Sequence, residues 1–144
     1  MRLERIKYTE LNARQKENFN FQKLSAVLAD YGFVTMRLSD DWQGADFIAH
    51  HVDGSTFLRV QLKGRLSFYK KYTGKDLWVA FHEGGSWYLY PHDELLGDVL
   101  KLTGIGSTVS WSHRGGYSFP RVPQRLQGFL SKYRISGDAH PIAR

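Results

Sequence analysis

The stretch ADFIAHHVDGSTFLRVQLK, residues 45–63, decides how this chain folds. Two runs of strand-forming residues flank Asp53-Gly54, and Asp-Gly between such runs is a strong signal for a β-hairpin. A two-residue turn there pairs Val52 with Ser55. Counting back along both strands then places Asp46 opposite Gln61, unless a bulge at the turn shifts the register.

The two faces of this hairpin differ in chemistry, because side chains alternate along a strand. Asp46, Gln61 and Lys63 project from one face, and directly opposed Cβ atoms lie about 5 Å apart. The other face is apolar throughout and is the predicted core face; it carries Ala45, Phe47, Ala49, Leu58, Val60 and Leu62. The sequence therefore predicts a carboxylate, an amide and an amine held close together on rigid backbone.

This polar group suits the metal-assisted hydrolysis of a phosphodiester, in which a metal ion polarises the phosphate and activates water. Mg²⁺ prefers oxygen ligands, which Asp46 offers as a carboxylate and Gln61 as an amide carbonyl. Lys63 adds a compact positive charge that can orient the water and offset the charge developing on phosphorus. The alternative is a solvated strand face on which Asp46 and Lys63 form a surface ion pair of little energetic value.

The rest of the chain predicts a mixed α/β fold around the hairpin. Apolar residues at spacings of three and four predict a helix over residues 12–31, which Gly32 ends. Further patterns predict strands over 33–38, 76–82 and 87–90, a polar loop over 39–44, one helical turn within 66–72, and a helix over 91–102. The weaker signals beyond Gly104 predict short strands over 108–111 and 117–119 and a basic amphipathic helix over 122–133. We expect a single domain over 1–144, with a core over roughly 12–102, the C-terminal strands and helix over roughly 105–135, and a loose tail over 136–144.

Composition favours a soluble, basic globular protein. The 144 residues are 42% hydrophobic, which is enough for one core and excludes an intrinsically disordered chain. The 20 Lys and Arg exceed the 14 Asp and Glu, and the net charge of +6 favours a polyanionic partner, nucleic acid first. A basic protein with no such partner is the alternative. The chain has no Cys, no apolar run at its start that would fit a signal peptide, and no stretch as long as a membrane span, so we expect a cytoplasmic protein with no membrane partner.

Gly44-Ala45-Asp46, the hairpin and Gln61-Leu62-Lys63 together resemble the core motif of the PD-(D/E)XK nuclease superfamily, which includes restriction enzymes, Holliday-junction resolvases and DNA-repair nucleases. The resemblance covers roughly residues 12–95 and implies a restriction-endonuclease-like αβββαβ core, with a mixed sheet flanked by helices. It implies Asp46 as a metal ligand, Gln61 at the second ligand position and Lys63 as the catalytic lysine. It also implies the backbone carbonyl of Leu62 as a further ligand, and Mg²⁺ or Mn²⁺ as the cofactor.

Two positions depart from that motif. Ala45 stands where the family name has Pro, and Gln61 stands where an acid is usual, although some modification-directed restriction nucleases of the superfamily carry Gln there. One negative charge fewer should weaken Mg²⁺ binding. Glu17, on the sheet-facing stripe of the predicted helix, is a candidate for the missing charge; an exposed Glu beside Arg14 and Lys16 is the alternative. The resemblance implies a DNA endonuclease, while Gln61 keeps open a non-catalytic nucleic-acid-binding or assembly module on the same scaffold.

Two basic segments predict contacts with nucleic acid. The first interleaves Lys and Arg with aromatic residues, a combination that suits a phosphate backbone and unstacked bases. The second surrounds Gly115-Gly116. The residues singled out are Arg65, Lys70, Lys71 and Lys75 in the first segment and Arg114 and Arg121 in the second. A basic loop over core aromatics and a simple hairpin turn are the alternatives. Double-strand cleavage usually needs two sites, so we consider a homo-oligomer, although no residue indicates one.

Overall fold

The computed structural model describes residues 1–136, in which α-helices cover a central β-sheet. The helices are α1 (Ala13–Asp30), α2 (His92–Leu102), α3 (Val109–Arg114) and α4 (Gln124–Leu130). The strands are β1 (Phe33–Trp42), β2 (Ala45–His51), β3 (Phe57–Leu62), β4 (Leu66–Tyr69), β5 (Leu77–Glu83), β6 (Ser86–Pro91), β7 (Gly116–Phe119) and β8 (Arg134–Ile135). Short 3-10 turns occur at Tyr8–Glu10, Lys70–Tyr72, Ile105–Ser107 and Ser131–Tyr133. Within residues 1–136, no helix has the length and apolar character needed to cross a membrane.

The central sheet has six strands in the order β1-β2-β3-β5-β6-β8. β3 and β5 are parallel, and the other neighbours are antiparallel. α1 packs on one side through Leu24 and Leu28, which contact Phe47 and Val60. On the other side lies a second core, built from α2, α3, α4 and the separate β4–β7 pair. This mixed sheet flanked by helices confirms the predicted fold class.

The connection between β3 and β5 departs from the expected αβββαβ order. It contains β4 and the 3-10 turn Lys70–Tyr72 in place of an α-helix, and the next α-helix, α2, comes after β6. Leu66, Ser67 and Phe68 are buried, and β4 finds its hydrogen-bonding partner in β7. Because that partner lies far along the chain, local sequence patterns do not reveal the strand. The helical turn predicted within residues 66–72 is present after the strand.

α1 agrees with the helix predicted over residues 12–31. The helix begins with a capping box, in which the Asn12 side chain accepts from the Gln15 backbone N–H and the Gln15 side chain accepts from the Asn12 backbone N–H, both at 2.9 Å. Leu24 and Leu28, one turn apart, are its fully buried residues. Their packing holds α1 against the sheet, so that the first turns of the helix lie over the β2–β3 hairpin.

The register of the β2–β3 hairpin is the predicted one. The pairs run from Phe47 opposite Val60 to His50 opposite Phe57. The turn itself is longer than predicted, because His51 N–H donates to the carbonyl of Thr56 and leaves residues 52–55 as a four-residue loop. The predicted pair of Val52 with Ser55 is therefore wrong. A four-residue loop keeps the register of a two-residue turn, so Asp46 still lies on β2 at the level of Gln61.

The first hairpin, β1–β2, corrects the loop predicted over residues 39–44. β1 extends to Trp42, which pairs with Ala45, and its register is irregular between Arg37 and Trp42. The turn consists of Gln43 and Gly44, which both have positive φ angles, of 53° and 86°. Two successive positive φ angles are typical of the tight turns that join antiparallel strands. Gln is an uncommon residue there, which is why the sequence shows no clear turn signal.

The C-terminal part contains one wrong strand prediction and one confirmed one. Residues 109–111 belong to α3 rather than to a strand, because the side chain of the preceding Thr108 caps the helix by accepting from Trp111 N–H at 3.2 Å. β7 confirms the strand predicted over residues 117–119. The helix predicted over residues 122–133 is shorter, and its last turn is the 3-10 turn Ser131–Tyr133. The predicted tail, 136–144, lies outside the described residues except for its first.

Candidate functional site

One cavity of about 1070 Å³ contains all the residues that the sequence singled out for metal binding and catalysis. It lies between the first turns of α1 and the ends of β1, β2 and β3. Its lining includes Glu17 from α1, Asp46 from β2, and Gln61, Leu62 and Lys63 at the end of β3. The hairpin register brings the side chains of β2 and β3 together in the cavity. The packing of α1 against the sheet explains why Glu17 also lines it.

Asp46 is half-buried, and its carboxylate interrupts the strand ladder. Its Oδ2 accepts a hydrogen bond from the Leu62 backbone N–H at 2.8 Å. Burial raises the pKa of Asp46, and the neighbouring Asp41 carboxyl raises it further, whereas the Leu62 N–H and the Lys63 charge act in the opposite direction. A half-buried carboxylate that the backbone fixes at one oxygen is well suited to bind a cation.

Gln61 has an unusual environment for an amide side chain. Only 8% of its surface is exposed, and its buried Oε1 has no hydrogen-bond partner within residues 1–136. Buried polar atoms nearly always have a partner, so this oxygen is an exception. The side chains of Gln61 and Asp46, which line the same cavity, both offer oxygen atoms. The donor types therefore fit a hard divalent ion. Among the described residues, no three Asp, Glu, His or Cys side chains surround a common point.

Lys63 points its ammonium group at aromatic rings rather than at a carboxylate. Its Nζ lies 4.7 Å from the ring centroid of Tyr69 and 5.7 Å from that of Tyr72. The surface ion pair with Asp46 that the sequence left as an alternative does not form, since the described ion pairs involve other residues. Rings attract the ammonium without neutralising its charge. The lysine is therefore held in place and keeps a positive charge available to a phosphate.

The tyrosines that support Lys63 are themselves held by a buried histidine at the start of α2. The Tyr69 backbone N–H donates to His92 Nε2 at 3.0 Å, and His92 Nδ1 lies 2.8 Å from an Asp93 carboxylate oxygen. His92 is fully buried, and burial lowers its pKa against the opposing effect of Asp93. Because Nε2 accepts, the proton of the neutral ring sits on Nδ1 and donates to Asp93. This link between α2 and β4 was not predicted from the sequence.

Tyr72 and Tyr69 pack against each other beside the Lys63 ammonium group. Tyr72 is 4% exposed, and its ring packs edge-on against that of Tyr69 with centroids 5.2 Å apart. Burial raises the pKa of Tyr72 to about 12, and Tyr69, Asp46 and Asp41 add to the effect. The phenol therefore stays neutral at physiological pH. The same two rings also hold Lys71, whose Nζ lies 5.6 Å and 5.5 Å from their centroids.

Glu17 matches both descriptions that the sequence allowed. Its side chain is exposed on α1, and it lines the cavity together with Arg14 and Lys16.

Asp41 is a residue that the sequence analysis missed, because the loop predicted over residues 39–44 is in fact the end of β1. The extended strand and its tight turn bring Asp41 to the side of Asp46.

The two predicted basic segments meet through the β4–β7 pair. At one end, Lys70 N–H donates to the carbonyl of Gly115 at 2.8 Å, which places Lys70 next to Arg114. At the other end, Leu66 pairs with Phe119, so Arg65 and Arg121 follow just beyond the same end of the pair. Lys75 is separate, because its carbonyl accepts from Arg59, towards the opposite end of β3 from Lys63.

No protein-family model matches this chain, and no curated protein matches it. Among solved structures, the chain is similar to a Holliday junction resolvase from the archaeal hyperthermophile Archaeoglobus fulgidus, with 17% identity, a TM-score of 0.44, and coverage of 54% of this chain and 74% of that chain. It is also similar to a bacterial homing endonuclease, with 16% identity, a TM-score of 0.49, and coverage of 85% of this chain and 86% of that chain. Both likenesses are distant, and the geometry of the cavity is what supports a function for this chain.

Proposed function

We propose that this protein is a divalent-metal-dependent nuclease that hydrolyses phosphodiester bonds, with DNA cut internally as its substrate. The observation that carries the proposal is that Asp46, Gln61 and Lys63 line one cavity. A carboxylate, a neutral oxygen donor and an unneutralised ammonium group are the groups that phosphodiester hydrolysis needs.

Asp46, the amide oxygen of Gln61 and the carbonyl of Leu62 are the groups that would hold Mg²⁺ or Mn²⁺. A bound ion of this kind polarises the phosphate and activates water. The Leu62 N–H fixes the Asp46 carboxylate so that it is oriented before an ion arrives. Glu17, exposed at the cavity rim, adds negative charge on the side of α1.

Lys63 is the residue to which we assign the stabilisation of the reacting phosphate. Its ammonium rests on the Tyr69 and Tyr72 rings and keeps its charge and its hydrogen-bond donors. The water oxygen forms a bond to phosphorus and its proton passes to solvent, while the bond from phosphorus to one ester oxygen breaks and that oxygen leaves and takes a proton from solvent. Negative charge builds on the phosphate oxygens during this exchange. A fixed positive charge at that point lowers the barrier without having to reorganise during the reaction.

The basic residues of the β4–β7 pair are the proposed contacts with the nucleic-acid backbone. Lys70 and Arg114 meet at one end, and Arg65 and Arg121 follow the other. Such contacts are sequence-independent and weaken steeply with salt. A filter-binding titration at rising salt should therefore show a strong loss of affinity, and substituting both Arg65 and Arg121 by Ala should reduce the slope.

A cleavage assay with matched lysine variants tests the proposal. We would incubate supercoiled plasmid, single-stranded DNA and a four-way junction with Mg²⁺, Mn²⁺ or EDTA. Lys63→Ala should abolish metal-dependent cutting and leave the fold intact. Lys132→Ala is the control, because Lys132 also rests on a tyrosine ring, 5.0 Å from the centroid of Tyr133, but does not line the cavity. Full activity in Lys63→Ala would refute the assignment.

A non-catalytic nucleic-acid-binding module is the second candidate function. Gln61 favours it, since the amide carries one negative charge fewer than the acid usual at this position in the superfamily that the sequence resembles. Salt-dependent binding to DNA without cutting under any metal would support this function in place of the first.

A further inference from the structure

We propose that the open face of β1, β2 and β3 binds single-stranded nucleic acid by stacking an unpaired base on Trp42. The proposal rests on the proposed function for the use of the bound strand, and it deepens that function by naming unpaired nucleotides as the part of the substrate that this face recognises. The open face is the side of the three strands opposite Phe47 and Val60, which pack against α1. Its defining side chains are Val34, Met36, Trp42, His50, Phe57 and Arg59.

The helices on this side of the sheet do not cover the open face. Within residues 1–136, the second core takes its sheet side chains from β5 and β6 and none from β1, β2 or β3. Four large apolar side chains are therefore at least half exposed: Trp42 at 50%, Val34 at 52%, Met36 at 56% and Phe57 at 61%. Val34 pairs with His50, and His50 with Phe57, so these side chains form a row across the strands. An exposed apolar patch of this kind marks a binding surface.

Trp42 is held in a position that suits stacking. The guanidinium carbon of Arg59 lies 4.8 Å from the centroid of the Trp42 ring, and Arg59 Nη1 donates to the carbonyl of Lys75 at 3.0 Å. The backbone of Trp42 is fixed by its pairing with Ala45 at the end of the β1–β2 hairpin. A ring supported in this way loses little conformational freedom on binding, and half of its surface remains open to a base.

The charge of the open face favours a polyanion over a second copy of the chain. None of its six defining side chains is acidic, and Arg59 is positively charged. Lys75 adds a cation beside Arg59, although it lies apart from the other predicted nucleic-acid contacts. A two-fold interface would bring this surface against itself, with no carboxylate on it to pair with Arg59. The phosphates between stacked bases supply that negative charge.

The open face lies next to the cavity of the proposed nuclease site. Arg59 and Gln61 project from the same side of β3, two residues or about 7 Å apart along the strand, and Gln61 lines the cavity. Trp42 directly follows Asp41, which also lines it. The bound nucleotide must be unpaired, because bases within a duplex already stack on their neighbours. The substrate class is therefore a single strand or a duplex with unpaired bases.

Binding measured without metal tests the proposal separately from catalysis. We would titrate a labelled oligothymidylate with the full chain in EDTA, follow its fluorescence anisotropy, and repeat the titration with an abasic strand of equal length. The abasic strand keeps the phosphates and lacks the bases, so the difference between the two affinities measures the contribution of the bases.

The variants separate the Trp42 ring from exposed aromatic area in general. Trp42→Ala removes the ring, and Trp42→Phe keeps a smaller one. Phe129→Ala is the control, because Phe129 is an exposed aromatic residue of α4 and does not belong to the open face. Circular dichroism would confirm that each variant is folded.

We expect the wild type to bind oligothymidylate more tightly than the abasic strand, and Trp42→Ala to lower the affinity for oligothymidylate by about 5- to 100-fold. Trp42→Phe should keep most of the affinity and Phe129→Ala all of it. Equal affinities of the wild type for the two strands, no loss in Trp42→Ala, or an equal loss in Phe129→Ala would overturn the proposal.

Sedimentation of the wild type and Trp42→Ala tests the other occupant of the open face. A wild-type dimer that dissociates in Trp42→Ala would show that the face pairs with a second copy and would overturn the proposal, whereas the same mass for both proteins supports it. Base-dependent binding through Trp42 without cleavage under any metal would support the open face and refute the nuclease function. Cleavage by a protein without base-dependent binding would do the reverse, so the two failures are distinguishable.

Discussion

Gly116→Ala should damage the support of Lys63 from a position that does not itself line the cavity. A Cβ on Gly116 would lie 2.4 Å and 2.6 Å from two carbons of the Tyr69 ring and 3.2 Å from the carbonyl oxygen of Phe68. Carbon atoms in normal contact are about 3.5–4.0 Å apart, so the ring must move by about 1 Å. Overpacking of this kind costs about 1–3 kcal/mol of stability.

The displaced ring would also move the lysine that rests on it. Lys63 Nζ lies 4.7 Å from the Tyr69 centroid, and a 1 Å misplacement in an active site can cost about 100-fold in rate. Urea unfolding measures the first effect, and the cleavage rate of a labelled duplex at saturating Mg²⁺ measures the second.

Gly97→Ala is the matched control for this experiment. Gly97 lies within α2, and a Cβ there would meet no atom within 4 Å. This substitution should stabilise the protein by about 0.5–1 kcal/mol, because Gly in a helix is less favourable than Ala. If Gly116→Ala were as stable and as active as the wild type, the Tyr69 ring would not be the support that the structure indicates.

Three further predictions concern hydrogen bonding, pH and charge. Asp46→Ala leaves the Leu62 N–H without its acceptor and should lower the free energy of unfolding by about 1–3 kcal/mol, whereas Asp46→Asn keeps an acceptor oxygen and should cost less; equal urea midpoints for the two variants would contradict this. Burial lowers the pKa of His92 below its usual 6.5, so the unfolded chain takes up the proton first and stability should fall as the pH drops below that value. Thermal melts from pH 7.5 to 5.5 should show this slope, and His92→Gln should flatten it; an unchanged slope would exclude His92 as its source. Gln61→Glu should strengthen Mn²⁺ binding in calorimetric titrations, and weaker binding would count against the amide oxygen as a ligand.

The sequence predicts the hairpin register well, because the alternation of apolar and polar residues leaves only one register that buries the whole apolar set. A shift by one residue would turn Phe47 and Val60 towards the wrong face, and a four-residue loop in place of a two-residue turn changes nothing in that balance. Asp46, Gln61 and Lys63 could be brought together from sequence for this reason. Helix α1 was predictable in the same way, because its apolar residues form one stripe that must be buried.

The rest of the site depends on contacts that local patterns do not encode. Asp41 was hidden by a tight turn in which Gln43 adopts a positive φ of 53°, a conformation that favours Gly or Asn. The support of Lys63 by Tyr69 depends on β4 pairing with β7 and on His92, which are distant in sequence. Residues 108–111 were predicted as a strand because their β-branched and aromatic residues suit one, whereas the Thr108 cap and tertiary packing favour a helix.

The most direct test of the central claim is the cleavage of supercoiled plasmid by the purified protein in Mg²⁺ or Mn²⁺, compared with EDTA and with Asp46→Asn. We expect nicked or linear DNA with the wild-type protein and metal, and intact plasmid with EDTA or with the variant. Cutting that persists at full rate in Asp46→Asn or in EDTA would contradict the assigned site. Intact plasmid, single strands and junctions with every metal, from a protein that binds Mn²⁺ and DNA, would contradict the nuclease function itself.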